Sequence, residues 1–317
     1  MSVALCTHNG GRFVREQLAS VLAQSRPSTE IVVSDDASTD DTMRVVEEVL
    51  QGSRASFRML RNDPAVGVTR NFEGAVKATS GELVALCDQD DVWHADKLLA
   101  ASDALERTGA LLAHSDANLV DERGAPLGQT LFQWLEVSAD DLAREQTEEG
   151  FSVLLRRNLV TGATVVFRRE LLELALPFPE EWVHDEWLAI IAAATGRLVV
   201  VDRATIDYRQ HGNNQIGVTE PHLRHKIARI LGTDGERNRV LARKFAVLAD
   251  RLDALDVPAR VTELARRKAA FELRRSHLPA ARWRRLVPVL RELRAGDYGE
   301  FASRRRADAL RDLLRRP

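Results

Sequence analysis

Residues 83–93 read LVALCDQDDVW. An unbroken apolar run, strand-like in character, ends in three acids, Asp88, Asp90 and Asp91. Towards the N-terminus from this point, strand-like and helix-like segments alternate. Residues 2–6 form a short apolar run broken by Gly10 and Gly11, and 13–24 place Val14, Leu18, Val21 and Leu22 at helical spacing. Residues 30–34 (EIVVS) are a second strand, and Asp40 is the expected N-cap of a helix over 42–50. Residues 57–60 are a weak third strand, and 68–78 a helix closed by Ser80-Gly81. Towards the C-terminus, 95–107 read as a helix and 110–114 as a fifth strand. This alternation predicts an α/β fold, a mostly parallel sheet flanked by helices.

Residues 125–150 are polar without a clear period and read as a loop. Short helices are expected over 151–156 and 169–174, an apolar-rich one over 186–194, and strands over 163–167, 198–202 and 205–208. Beyond Pro221 the chain becomes Arg-rich and amphipathic, with breaks near 232–235, Pro258, Pro279 and Gly296, the pattern of successive helices. Charge divides the chain at the same place. The formal net charge of the 317 residues is −2, yet residues 1–221 carry −15 and residues 222–317 carry +13. Two regions are therefore expected, 1–221 and a basic α-helical region 222–317. Cys6 and Cys87 both fall in apolar runs, so buried free thiols are expected and a disulfide framework is excluded. No apolar stretch approaches the ~18 residues of a membrane span. No basic leader is visible, and a soluble cytoplasmic chain is the expectation.

In an open parallel sheet, ligands bind at the carboxyl ends of the strands. Thr7 and Asn9 follow the first strand, Asp35 and Asp36 the second, and Asp88, Asp90 and Asp91 the fourth. Neither G-x-G-x-x-G after the first strand nor G-x-x-x-x-G-K-[ST] occurs, which removes the main support for dinucleotide and P-loop readings. Clustered carboxylates suit a hard divalent cation, though Asp90 or Asp91 could equally cap the next helix. Asp35-Asp36 could be a plain turn. In WVHDEW, Asp185 is a helix cap or a general base, and Trp182 and Trp187 are a sugar-stacking surface or core. Tyr208–Gln215 is too polar for packing, and its Arg209 and His211 suit a diphosphate or a metal.

Taken together, VALCTHNGGRFVREQLASVLAQ, EIVVSDDASTDDT, GVTRNFEGA, LVALCDQDDVW and HDEW resemble glycosyltransferase family 2. The resemblance covers residues 1–216, and from RNLVTGATVVF onward it narrows to bacterial rhamnosyltransferase-like enzymes. It implies a GT-A type, Rossmann-like sheet and an inverting sugar transfer from a nucleotide-sugar donor, dTDP-L-rhamnose or a UDP-sugar. It places Thr7, Asn9, Asp35, Asp36 and Arg70 around the nucleoside. Asp88-Gln89-Asp90 becomes the D-x-D motif for Mg or Mn, with Asp90 the direct ligand and His211 assisting. Asp185 becomes the base, Thr161-Gly162 a loop near donor and acceptor, and Arg209 a diphosphate contact. His184 takes the place of a glutamate frequent in the family and, with Trp182 and Trp187, would face a saccharide acceptor.

The basic region has two readings. One is a solvated helix face. The other is a peripheral contact with the inner face of the plasma membrane, where a polyprenyl-diphosphate-linked acceptor would lie. Arg282, Arg284, Arg285, Arg291 and Arg294, interleaved with Trp283, Leu286, Val287, Leu290 and Leu293, have an interfacial composition that Pro288 interrupts. No nucleic-acid module is recognisable and aromatics are few, which argues against nucleic acid. A sugar nucleotidyltransferase should carry a Gly-rich, Arg-containing loop after the first strand, where this chain has THNGGR with a single glycine pair. A non-catalytic carbohydrate-binding protein would not need Asp88, Asp90 and Asp185 together.

Overall fold

The computed structural model describes residues 1–53, 55–196, 198–212 and 235–315. They form two compact units, one of residues 1–150 with 159–217 and one of residues 151–158 with 218–317. The expected division at 221/222, and the Asn213–Gln215 end of the polar loop, lie outside the described residues.

The first unit is built on a nine-stranded sheet. In chain order the strands are β1 (Ser2–Thr7), β2 (Glu30–Asp36), β3 (Ser56–Asn62), β4 (Leu83–Cys87), β5 (Val92–Trp93), β6 (Leu112–Val120), β7 (Pro126–Thr130), β8 (Val166–Arg168) and β9 (Leu198–Arg209). The spatial order is β3-β2-β1-β4-β8-β6-β9-β5, with β7 paired to β6. β3, β2, β1 and β4 run parallel, as the alternation requires. β8 then inserts antiparallel between β4 and β6, which the order of segments could not reveal. Every residue of β1 and β4 is buried, whereas β3 at the sheet edge is largely exposed, matching its weak apolar signal.

Helices α1 (Val14–Leu22), α2 (Thr42–Gln51), α3 (Val68–Lys77) and α4 (Lys97–Thr108) connect these strands. α1 buries Val14, Gln17, Leu18 and Val21, one face at helical spacing. Asp41, not Asp40, is the N-cap residue of α2, but the Asp40 carboxylate accepts the Thr42 and Gly11 N–H groups, each at 3.0 Å. It therefore starts the helix and ties down the loop after β1 together.

The polar excursion is ordered. It holds β7 and two short helices, α5 (Leu131–Trp134) and α6 (Ala139–Glu145), each opened by a capping box, Thr130 with Gln133 and Ser138 with Asp141. Elements of this length carry too few residues to establish a period. α7 (Gly150–Arg156), α8 (Leu171–Ala175) and α9 (His184–Ala194) complete this part of the chain. The expected strand at 163–167 is a 3-10 turn over Gly162–Thr164 followed by β8. The two expected strands over 198–208 are the single strand β9, which shifts register against β6 near Ser115–Asn118 and so absorbs the polar Asp202–Arg203 step. Cys6 and Cys87 are buried and free. Among the described residues no helix is long and apolar enough to cross a membrane.

In the second unit, α10 (Gly235–Asp253) packs on α11 (Ala259–Ser276), and α12 (Leu286–Ala295), α13 (Asp297–Phe301) and α14 (Arg306–Leu314) follow. Pro288 sits in the first turn of α12, where a missing N–H costs no hydrogen bond, so it opens a helix instead of interrupting one. Several charges of this basic region point inward. Arg275 pairs with Asp312 at 2.7 Å and Glu272 at 3.1 Å, and Lys268 with Glu272 at 2.8 Å. Arg285 caps the carbonyls of Pro279, Ala280, Asp312 and Arg315. Burial alone would raise the Glu272 pKa; Lys268 and Arg275 outweigh it and hold the carboxyl below its ordinary range. A depressed carboxyl stabilises the fold above its unfolded pKa and loses that contribution as pH falls, so acid should unfold this unit. The Tyr298 hydroxyl donates to Asp312 Oδ2 at 2.7 Å inside the network. Tyr298→Phe should cost about 1.5–3 kcal/mol, the range for a hydrogen bond to a charged group, in urea unfolding at neutral pH.

Candidate functional site

The loops after β1 and β2 are laced together by side chains. Thr7 Oγ1 donates to Asp35 Oδ1 at 2.8 Å, and Asp35 also accepts the Ser38 N–H at 2.9 Å and the Ser38 hydroxyl. Asn9, at φ 50°, accepts the Thr39 N–H at 2.9 Å and donates its own N–H to Ser38 Oγ at 2.8 Å. Asp36 accepts the N–H groups of Val66 at 2.7 Å and Gly67 at 2.8 Å, and the Asn62 amide at 3.0 Å. Both carboxylates after β2 are buried and engaged in shaping loops. Arg70, on α3, is bound to Glu73 at 2.8 Å and to Glu180 at 3.5 Å.

From the end of β4, Gln89 accepts the His8 N–H at 2.8 Å and donates back to the His8 carbonyl at 3.0 Å. This clasp passes so close to Gly10 that a Cβ there would lie 2.1 Å from Gln89 Oε1. The middle residue of the D-Q-D motif is thus a structural member of the site. β5 pairs with β9 and carries the acidic turn against the Arg209 end of that strand. Asp91 Oδ1 accepts the Arg209 N–H at 3.0 Å, and Asp90 Oδ2 lies 2.8 Å from His211 Nε2. Arg209, expected from the sequence to reach a diphosphate, has partners within the fold. Its guanidinium is buried, held by Glu16 at 2.6 Å and by the carbonyls of Asp90 and Glu122, and it stiffens the acidic turn.

Asp88 directly follows the apolar strand β4 and feels the charge of Asp185. Burial, then the charges of Asp90 and Asp185, push its carboxyl up to about 7. Asp185, near the start of α9, receives the Gly162 N–H at 2.8 Å on Oδ2 and the Glu186 N–H at 2.7 Å on Oδ1. Two N–H donors fix the carboxylate plane. A Cβ on Gly162 would come within 3.1 Å of His184 Nε2 and 3.3 Å of Asp185 Oδ2. Gly162→Ala must therefore displace Asp185 by a few tenths of an ångström. It should lower turnover about tenfold, with little change in melting temperature. Thr161 precedes this turn and its carbonyl accepts the Thr164 hydroxyl at 2.8 Å.

Three placements differ from the expected acceptor surface. Trp187 is wholly buried with its indole N–H on the Ala175 carbonyl, and Trp182 packs against it, ring centroids 5.4 Å apart. The apolar face of α9 turns Trp187 inward, and Trp182, just before that helix, is buried against it. His184 is buried and stacked on Phe72 at 3.9 Å, and burial pulls its imidazole down to about 3, so the ring is neutral.

Two residues of the site carry no role in the sequence reading. Lys97, at the start of α4, is buried under the acidic turn, with Nζ on the Ala163 carbonyl and 3.7 Å from the Trp93 ring centroid. Burial lowers its pKa to about 8 against the opposing pull of Cys87, Asp91 and Asp88. The Tyr208 hydroxyl is raised above its ordinary value by burial and then by the charges of Asp91, Asp88, Asp90 and Asp185. A lysine opening an amphipathic helix and a tyrosine ending a strand look like ordinary surface and core residues in sequence.

Among the described residues no three His, Cys, Asp or Glu side chains form a ready metal cage. The donor set still fits a hard cation. Magnesium commonly uses one or two carboxylates and completes its shell with water and substrate phosphates. Asp88 and Asp90 supply those carboxylates, and the raised Asp88 reflects charge that a cation would balance.

A family model described as Glycosyl transferase family 2 matches residues 2–174. The chain is similar to the dTDP-rhamnosyl transferase RfbG of Shigella flexneri, 28% identical over 230 residues that cover 67% of this chain and 73% of RfbG. It is also similar to the Escherichia coli UDP-Glc:alpha-D-GlcNAc-diphosphoundecaprenol beta-1,3-glucosyltransferase WfgD, 25% identical over 195 residues covering 60% and 69%. The match to an uncharacterized protein of Mycobacterium bovis spans 59% of that protein. Among solved structures, the mannosyltransferase PcManGT of Pyrobaculum calidifontis, in complex with GDP-Man and Mn2+, matches with a TM-score of 0.56 at 18% identity, covering 99% of this chain and 84% of that one. That likeness is one of fold, the GT-A type.

Proposed function

This chain belongs to glycosyltransferase family 2, and we propose that it transfers L-rhamnose from dTDP-L-rhamnose, with inversion, to a hydroxyl of a growing bacterial cell-surface saccharide. The observation that carries this reading is the Asp185 carboxylate held by the Gly162 and Glu186 N–H groups, with a charge that acts on Asp88 of the D-Q-D turn. Asp185 takes the proton of the acceptor hydroxyl as that oxygen attacks the anomeric carbon. The bond from that carbon to the diphosphate oxygen breaks on the opposite face, and the nucleoside diphosphate leaves with the electron pair. Asp88 and Asp90 would hold a divalent cation, Mg or Mn, whose charge offsets the negative charge of the departing diphosphate. His211, beside Asp90, orients that carboxylate. The loops laced by Thr7, Asn9, Asp35 and Asp36 form the wall for the nucleoside, and Gln89 fixes their distance from the acidic turn.

The rhamnosyl donor is supported by the similarity to RfbG. The similarity to WfgD favours a second reading, a UDP-sugar donor and a lipid-linked acceptor. A thermal-shift panel of dTDP, UDP and GDP, each with Mn2+ or Mg2+, separates them. A ligand at a hundred times its Kd stabilises by about 2.7 kcal/mol. Selective stabilisation by dTDP is expected, and preference for UDP would overturn the rhamnosyl assignment.

A further inference from the structure

The second unit sorts its charges by sign. Between residues 281 and 315, Glu292, Asp297, Asp308 and Asp312 are all buried. Glu300 is half-buried and bound to Arg267 at 2.7 Å. The side chains left outside are cationic: Arg282, Arg284, Arg291, Arg294 and Arg304–Arg306 are exposed. Apolar side chains are exposed among them. Trp283, in the 3-10 turn Arg282–Arg285 that leads into α12, and Val287 are each 75% exposed, and on α12 Leu286 (50%) and Leu290 (39%) lie one turn apart beside Val287. The face continues onto α14. Leu290 and Leu293 share a groove with Leu310 and Leu313, and Arg294 and Arg306 also line it. Leu310 and Leu314, one turn apart, are 58% and 45% exposed.

We infer that this face of α12 and α14 docks onto an anionic bilayer surface, with the Trp283–Leu290 stripe entering the headgroup boundary and the arginines on lipid phosphates. Patches of this kind are rare on monomers and mark interaction sites. The charge pattern selects the occupant. A second copy of the chain would bring the same exposed arginines face to face, a repulsive pairing. An anionic leaflet answers both the charge and the apolar stripe. Arginine stems can lie along the apolar surface while their guanidinium groups reach phosphate, and the Arg284 guanidinium already sits 5.0 Å from the Trp283 ring centroid. The inference stands on the second unit alone, whether or not the first transfers rhamnose.

The test is co-sedimentation of the full chain with vesicles of phosphatidylcholine, alone or mixed with phosphatidylglycerol. Binding is expected to the mixed vesicles at low salt, with little to the neutral ones, and to weaken as salt screens the arginines. Val287→Asp should reduce it at least about tenfold, Arg284→Glu and Arg291→Glu on the order of fivefold each or more. Val240→Asp, at a comparably exposed position on α10, should leave it unchanged. All four positions are exposed, so unchanged thermal unfolding of the variants is the control for folding. No binding by the parent chain at low salt, or Val287→Asp binding as the parent does, overturns the inference. A dimer in sedimentation velocity that Val287→Asp abolishes, without vesicle binding, would assign the face to a second copy instead.

Discussion

Asp185→Asn should lower turnover by about 10²–10⁴-fold, the usual worth of a positioned general base, while nucleotide binding stays close to that of the parent. An asparagine oxygen can still receive the Gly162 N–H that Asp185 accepts at 2.8 Å, so the loop keeps its anchor. What is lost is the capacity to take a proton. The split between chemistry and binding is the useful readout. Single-turnover rates measured beside calorimetric binding of the nucleoside diphosphate would separate them. Near-normal turnover would remove Asp185 from the reaction. A matching loss of both binding and turnover would make it a structural residue of the 162–164 turn.

Asp90→Asn should act through the cation and not through the acceptor proton. With Mn2+ present, kcat/KM should fall by about 10²–10³-fold, the scale seen when one preorganised electrostatic contact to developing charge is lost. Without added cation the sign should reverse, and the variant should bind dTDP or UDP at least as well as the parent. Asp88, Asp90 and Asp185 repel one another and would repel a diphosphate, as the raised Asp88 carboxyl reports. Removing one charge relieves that repulsion. Calorimetric titration of each nucleotide, with Mn2+ and with a chelator, checks both halves. If Mn2+ strengthens binding equally in parent and variant, Asp90 does not hold the cation.

Much of the first unit was legible from the chain itself. β1, β2 and β4 announce themselves because their residues are almost wholly buried and must be apolar. Their polar continuations, Thr7, Asp35 and Asp88, lie at strand ends for the same reason. The direction of a polar side chain was not legible. Asp35 and Asp36 read as ligand contacts, yet their oxygens are taken up by N–H and hydroxyl groups of neighbouring loops. Arg209 read as a phosphate contact and is buried on Glu16 and two carbonyls. Such pairings join residues far apart in the chain, so no local pattern records them. The tryptophans of WVHDEW were ambiguous because an aromatic ring suits a sugar and a core equally well. In the basic region, composition alone could not separate arginines that build the fold, such as Arg275 and Arg285, from those left outside. That separation needed the tertiary pairing of each acid.

At neutral pH Lys97 gives the acidic turn a positive charge of its own. It lies beneath the acids and, through the Ala163 carbonyl, braces the turn whose Gly162 N–H holds Asp185. On the mechanism proposed above, a nucleoside diphosphate and a cation would depart at the end of each turnover and leave the carboxylates of the acidic turn without a counter-charge from the substrate. An ammonium group that never leaves keeps that interval from pulling the walls apart. Replacing it, as in Lys97→Met, should make thermal stability depend on added Mn2+ far more than in the parent. A melting temperature equally indifferent to Mn2+ in both proteins would rule this out.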